Sequence, residues 1–90
     1  MKSRRDRIDV IYDILSAIEK EGGQIKPTRL MYKSNLSHKL LKSHMQDLIE
    51  RGVIEETTIK KKNYIVITES GKKFISELRK MRRFLESFGL

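Results

Sequence analysis

Apolar positions change rhythm several times along the chain, and each rhythm predicts an element. From about Asp6 to Glu21, Ile8, Ile11, Leu15 and Ile18 recur at helical spacing, while Val10, Ile14 and Ala17 form an adjacent stripe. So broad an apolar face predicts a helix covered on two sides. Gly22-Gly23 ends it, because paired glycines favour a turn or left-handed exit. Ile25 leads into the short helix Lys26-Pro27-Thr28-Arg29-Leu30-Met31-Tyr32-Lys33, whose proline is tolerated only near a helix start, with Leu30 and Met31 facing inward. A sharp turn is expected at Ser34-Asn35, since Asn accepts left-handed geometry. Ser37 is placed to cap a third helix that continues to about Arg51, before Gly52. Leu41, Met45 and Leu48 mark its buried stripe, with Leu40 and Ile49 beside it.

After Gly52 the helical period is lost. Val53-Ile54 and the segment Ile59 to Ile67 have strand composition, strongest at Tyr64-Ile65-Val66-Ile67, and two strands are implied. Between them Lys60-Lys61-Lys62-Asn63 forms a basic tip, with turn chemistry at Asn63. Thr68 can cap a final helix reaching Phe88, with Glu69 favourable in its first turn and Gly71 tolerated near its start. Phe74, Leu78, Met81, Leu85 and Phe88 are spaced four, three, four and three apart, the pattern of a heptad seam. The plainer alternative is that Phe74, Ile75, Leu78 and Met81 close the core against the first helix. Continuation to Phe88 favours a seam between two copies. No internal repeat, linker or low-complexity stretch interrupts the chain.

Composition narrows the picture. Ninety residues with 38% hydrophobic content hold one core, so a contact between copies would add stability. Twenty Lys and Arg against twelve Asp and Glu give a net charge of +8, which suits an acidic polymer as partner. Solubility alone and an anionic membrane surface are the other uses of such charge. Against the membrane, no apolar run approaches the length of a span, and Met1-Lys2-Ser3-Arg4-Arg5-Asp6 has no apolar signal core behind it, so a cytoplasmic, nucleoid-associated location is expected. Cysteine is absent, which excludes disulfides, thiol nucleophiles and Cys-based zinc sites. His38 and His44 stand six apart, whereas ligands on one helical face stand three or four apart, so no metal site is expected. There is no Gly-rich phosphate loop and no Ser-His-Asp spacing, so neither an enzyme nor a cofactor is expected, and no small-molecule substrate is evident.

Helix, short helix, turn, helix, basic hairpin and helix is the order of a winged helix-turn-helix, a mainly α fold with a small β-hairpin (α+β). Residues 1–71 would form the winged-helix domain and 72–90 a long dimerisation helix. The spacing from Leu36-Ser37 through Leu41, Met45 and Leu48 to Gly52-Val53-Ile54 matches the second half of such modules. A narrower likeness lies in Lys26-Pro27-Thr28-Arg29-Leu30-Met31-Tyr32, Asn35-Leu36-Ser37 and Thr68-Glu69-Ser70-Gly71. With these the chain resembles the archaeal family of ten-kilodalton basic winged-helix DNA-binding proteins. The resemblance implies double-stranded DNA as partner and a homodimer made by an antiparallel coiled coil of the last helices. It also implies architectural roles for Thr28 and Asn35. Relatives tend to carry a longer last helix, whereas about three heptads are available before Leu90, so Phe84 or the first helix would reinforce the seam.

In a helix-turn-helix the second helix enters the major groove. His38, Lys39, Lys42, Ser43 and Gln46 lie away from the buried stripe and are the expected base-reading and phosphate-contacting set. Gln46 suits adenine and Lys42 suits guanine or phosphate. Lys60, Lys61, Lys62 and Asn63 would meet phosphates or the minor groove, and Arg29, Arg4, Arg5 and Arg7 are further phosphate candidates. Phe74, Leu78, Met81, Leu85 and Phe88 are the dimer set. With one Gln and no Arg or Asn on the reading face, loose sequence preference is expected of a transcriptional regulator or chromatin protein. The rival use of the fold is a protein-interaction module within a larger transcription or processing complex.

Overall fold

A computed structural model describes residues 6–90. Its elements are α1 (Arg7–Lys20), β1 (Gln24–Ile25), α2 (Pro27–Ser34), α3 (His38–Glu50), β2 (Ile54–Ile59), β3 (Lys62–Ile67) and α4 (Glu69–Ser87). The strands form one antiparallel sheet in the order β1-β3-β2.

Local chemistry sets the helix ends. Asp6 caps α1 in a reciprocal box, its carboxylate accepting from the Asp9 N–H at 2.9 Å while Asp9 accepts from the Asp6 N–H. Pro27 occupies the first turn of α2, and Asn35 leaves that helix at φ 55°, in the left-handed region expected of it. Ser37 caps α3 by accepting from the Leu40 N–H at 3.2 Å. Thr68 does double duty at α4. Its hydroxyl accepts from the Gly71 N–H at 3.0 Å and donates to the Gly52 carbonyl at 2.7 Å, tying the start of α4 to the end of α3.

The core is aliphatic. Ile14, Leu15 and Ile18 of α1 meet Leu30 of α2, Leu41 and Leu48 of α3, Ile54, Ile65 and Ile67 of the sheet, and Ile75 of α4. Ser34 is buried among them and donates to the Leu30 carbonyl at 2.7 Å, so its hydroxyl is satisfied. Gly71 is buried because the first turn of α4 lies directly on the backbone of Val53. A Cβ at that position would stand 2.1 Å from the Val53 carbonyl oxygen.

Four expectations change. The sheet has three strands rather than two, since Gln24 and Ile25 pair with Val66 and Ile65, and a strand of two residues has no period to read. β2 is not Val53-Ile54 alone but runs through Glu55, Glu56, Thr57 and Thr58, carried by its ladder with β3 rather than by hydrophobicity. The turn lies at Lys60-Lys61, with φ of 50° and 67°, between the paired residues Ile59 and Lys62. Asn63 is already in β3, where its Oδ1 accepts from the Thr58 hydroxyl at 3.2 Å. Finally, Ile8 and Leu40 are 47% and 53% exposed and leave the stripes assigned to them. Leu40 stands on a flank of α3, roughly 100° round from the buried Leu41, as the helical period requires.

Two positive φ values in a two-residue hairpin loop are the type I′ pattern, which Asn-Gly fits and lysine does not. Left-handed geometry costs about 1 kcal/mol at each L-residue. Lys60→Asn/Lys61→Gly is therefore expected to stabilise the fold by about 1 kcal/mol, read as a rise in Tm of about 4–8 °C. A lower Tm would show that the lysines are not strained.

Candidate nucleic-acid interface

The third helix presents its polar side as the helical period demands. His38, Lys39, Lys42, Ser43 and Gln46 are all exposed, while Leu41 and Leu48 of the same helix are buried. His38, Lys42 and Gln46, four residues apart, form one row facing a cleft of about 360 Å³ whose other walls include Pro27 and Thr28 of α2 and Glu56 of β2. Lys39 and Ser43 form the neighbouring row, on the crest of the helix.

The hairpin tip is exposed at Lys60, Lys61, Lys62 and Asn63. A second, open concavity is lined by Lys62, Asn63, Lys26, Pro27 and Thr28. Pro27 and Thr28 thus border both hollows. The start of α2 joins the α3 row to the base of the hairpin, so residues up to 37 positions apart in sequence share one surface. Lys26 and Thr28 belong to this surface and were not among the contact residues expected from sequence. Only the way α2 approaches the hairpin, a long-range property, brings them there.

Charge divides in a telling way. Arg7 and Arg51 pair with Asp47, Arg29 with Glu21 at 2.8 Å, Arg79 with Glu19 at 2.6 Å, and Arg82 with Asp9. Hydrogen bonds from Arg51 and then Arg7 hold the Asp47 carboxyl below its ordinary range, and Arg29 does the same for Glu21. Lys39, Lys42, Lys60, Lys61 and Lys62 make no ion pair among the described residues. The arginines mostly brace the fold, and the lysines of α3 and the hairpin are left facing solvent. Arg29 and Arg7, both candidates from sequence, are engaged by carboxylates. Arg4 and Arg5 lie outside the described residues.

The seam residues of α4 are placed apart from this surface. Phe74, Met81, Leu85 and Phe88 are exposed, Leu78 is half-buried, and only Ile75 of this helix's large side chains enters the core. Phe84, 63% exposed, stacks obliquely on Phe88 with ring centroids 5.1 Å apart. Of the residues in the plainer reading, Ile75 closes the core and Leu78 is half-buried, while Phe74 and Met81 stay exposed. Among the described residues no helix is long and apolar enough to cross a membrane, and none of their His, Asp and Glu groups forms a cluster of three that could hold a metal ion.

A three-helix body, a basic antiparallel hairpin and a polar third helix beside it define a winged helix-turn-helix module. The chain belongs to the winged helix-turn-helix family, whose sequence profile matches residues 4–86. Sso10a-2, a DNA-binding protein from Sulfolobus solfataricus, is 25% identical with a TM-score of 0.72, over 94% of this chain and 90% of that one. F93 from STIV, a winged-helix DNA-binding protein, is 22% identical with a TM-score of 0.77, over 89% of this chain and 92% of that one. YusO from Bacillus subtilis shares the fold at 15% identity and a TM-score of 0.80, but this chain covers only 59% of it. The first two bear out the resemblance to small basic winged-helix proteins seen in the sequence. No curated protein matches the chain by sequence.

Proposed function

We propose that this protein binds double-stranded DNA as a transcriptional regulator or chromatin-associated protein, and that it does so without enzymatic activity. The observation that carries the proposal is the continuous surface from His38, Lys42 and Gln46 across Lys26 and Thr28 to Lys62, on which the lysines have no carboxylate partner among the described residues. A helix of the size of α3 fits the major groove, and the hairpin beside it then reaches the flanking phosphates or minor groove. Lys39, Ser43 and Gln46 face base edges, with Lys42 on guanine or phosphate, and Lys60, Lys61 and Lys62 release counterions. Arg29, held by Glu21 through Nε, contributes only through its outer nitrogens. Glu56 on the far wall of the cleft repels phosphate and so confines the backbone to the crest of α3 and the hairpin.

The test is anisotropy titration of two unrelated duplexes across a range of salt. Binding to both, weakening steeply with salt and differing little between sequences, is expected, because a single Gln among the reading residues supplies little base discrimination. Failure to bind either duplex at low salt would overturn the proposal in favour of a protein-interaction module.

A homodimer through α4 is part of the same proposal. Met81, Phe84, Leu85 and Phe88 lie exposed beyond the globular body, on a helix of 19 residues, or about 28 Å. Met81→Glu/Phe88→Glu touches the two seam positions least involved in the core and is expected to halve the mass in light scattering without loss of helicity. An unchanged mass would reject the seam.

A further inference from the structure

The inward stripe of α4 changes chemistry along its length. Gly71 and Ile75 are buried on the body, but one and two turns beyond Ile75 the same side of the helix presents Arg79 and Arg82. The guanidinium carbon of Arg82 lies 4.0 Å from the centroid of the Tyr12 ring on α1, and its Nη2 donates to Asp9. The guanidinium of Arg79 lies 5.9 Å from the same centroid and pairs with Glu19 at 2.6 Å. Hydrogen bonding to Tyr12 and then to Glu19 holds Arg79 firmly charged. One ring therefore engages two guanidiniums, and each guanidinium is also held by a carboxylate on the helix that carries the ring.

Apolar contacts resist separation but allow sliding. A guanidinium over an aromatic face with a carboxylate at its edge admits far fewer arrangements. Two such contacts, three residues apart on α4, restrict both its tilt and its rotation. The apolar seam lies roughly 100° round the helix from this clamp, so the clamp leaves the seam uncovered while deciding where it points.

We infer that Tyr12 is a positioning residue which, through Arg79 and Arg82, fixes the direction of α4 relative to α3 and the hairpin, and thereby the separation of the two DNA-contacting surfaces in the dimer. The second half of this statement rests on the proposed dimer. The direction of α4 within one protomer does not.

Because the chain has no cysteine, spin labels can be placed at will. Thr58→Cys on β2 with Arg83→Cys on the outer side of α4, diluted into unlabelled protein, reports the distance within a protomer by double electron–electron resonance. Thr58→Cys alone reports the distance between protomers. The native background is expected to give one narrow distribution in each case. Tyr12→Leu is expected to broaden both about twofold while thermal unfolding stays cooperative. Tyr12→Phe keeps the ring beneath both guanidiniums but loses the hydroxyl that bonds Arg79, and is expected to restore most of the narrowing, a rescue that mere filling of space by leucine cannot supply. Should Tyr12→Leu fail to fold, Arg79→Gln/Arg82→Gln removes the clamp from the exposed side, with the same broadening expected. An unchanged within-protomer distribution in a folded clamp variant overturns the inference. Loss of the between-protomer signal in the native background overturns the dimer instead, and with it only the statement about separation.

Discussion

Gly71→Ala is expected to lower the melting temperature by roughly 12 °C or more, corresponding to about 3 kcal/mol in a domain of this size. Helix propensity alone argues the other way, since alanine is favoured over glycine by about 1 kcal/mol inside a helix. Packing decides the sign. The added methyl would stand 2.1 Å from the Val53 carbonyl oxygen and 2.8 Å from a side-chain carbon of Ile67. The carbonyl cannot retreat freely, because it accepts the Thr68 N–H at 3.1 Å, and Thr68 in turn caps the helix. The variant must therefore lift the first turn of α4 off the sheet and withdraw Ile75 from the core. Ser76→Ala, on the exposed side of the same helix, separates the two effects and should leave the melting temperature unchanged or slightly raised. A Gly71→Ala protein as stable as the parent would mean that α4 does not dock as described.

The second large effect concerns the hairpin. Lys60→Ala/Lys61→Ala/Lys62→Ala is expected to reduce the slope of log affinity against log salt by about 2.7, with a loss of affinity on the order of 10²-fold near physiological salt. Lys72→Ala/Lys80→Ala removes cations that already pair with Glu69 and Glu77, and should barely change the slope. An unaltered slope in the triple variant would sink the role of the hairpin as a phosphate contact. The strained geometry of Lys60 and Lys61 sharpens this test. The Asn-Gly replacement should gain stability and lose affinity together. A turn selected for folding alone would not carry lysine at both left-handed positions.

What could be read from the sequence was what local chemistry determines. Asp6 and Gly22-Gly23 bound α1, Asn35 supplies the left-handed exit from α2, and Ser37 and Thr68 cap α3 and α4, all as the residue types dictate. The polar side of α3 followed from its period. Features set by distant partners were not legible. β1 exists only because Val66 and Ile65 are there to pair with it, and β2 accepts Glu55 and Glu56 because β3 supplies the ladder. The turn moved from Asn63 to Lys60-Lys61 because register between the strands, not local preference, placed it. The pairing of Arg82 with Asp9 spans 73 residues, and no spacing rule reaches so far. Within the candidate interface the residues of α3 and the hairpin were found separately, and Lys26 and Thr28, which join them, became visible only in three dimensions.

β2 is the outermost strand of its sheet, and its consecutive residues Glu55 and Glu56 are both exposed. Adjacent residues of a strand point to opposite faces, so each face of this margin carries a carboxylate. A second copy's β2 paired antiparallel in the register that aligns these residues would set carboxylate against carboxylate on both faces. The two carboxylates thereby guard this margin against extension of the sheet into another copy. In the proposed dimer, contact between copies falls to α4 instead, and the sheet ends at its three strands.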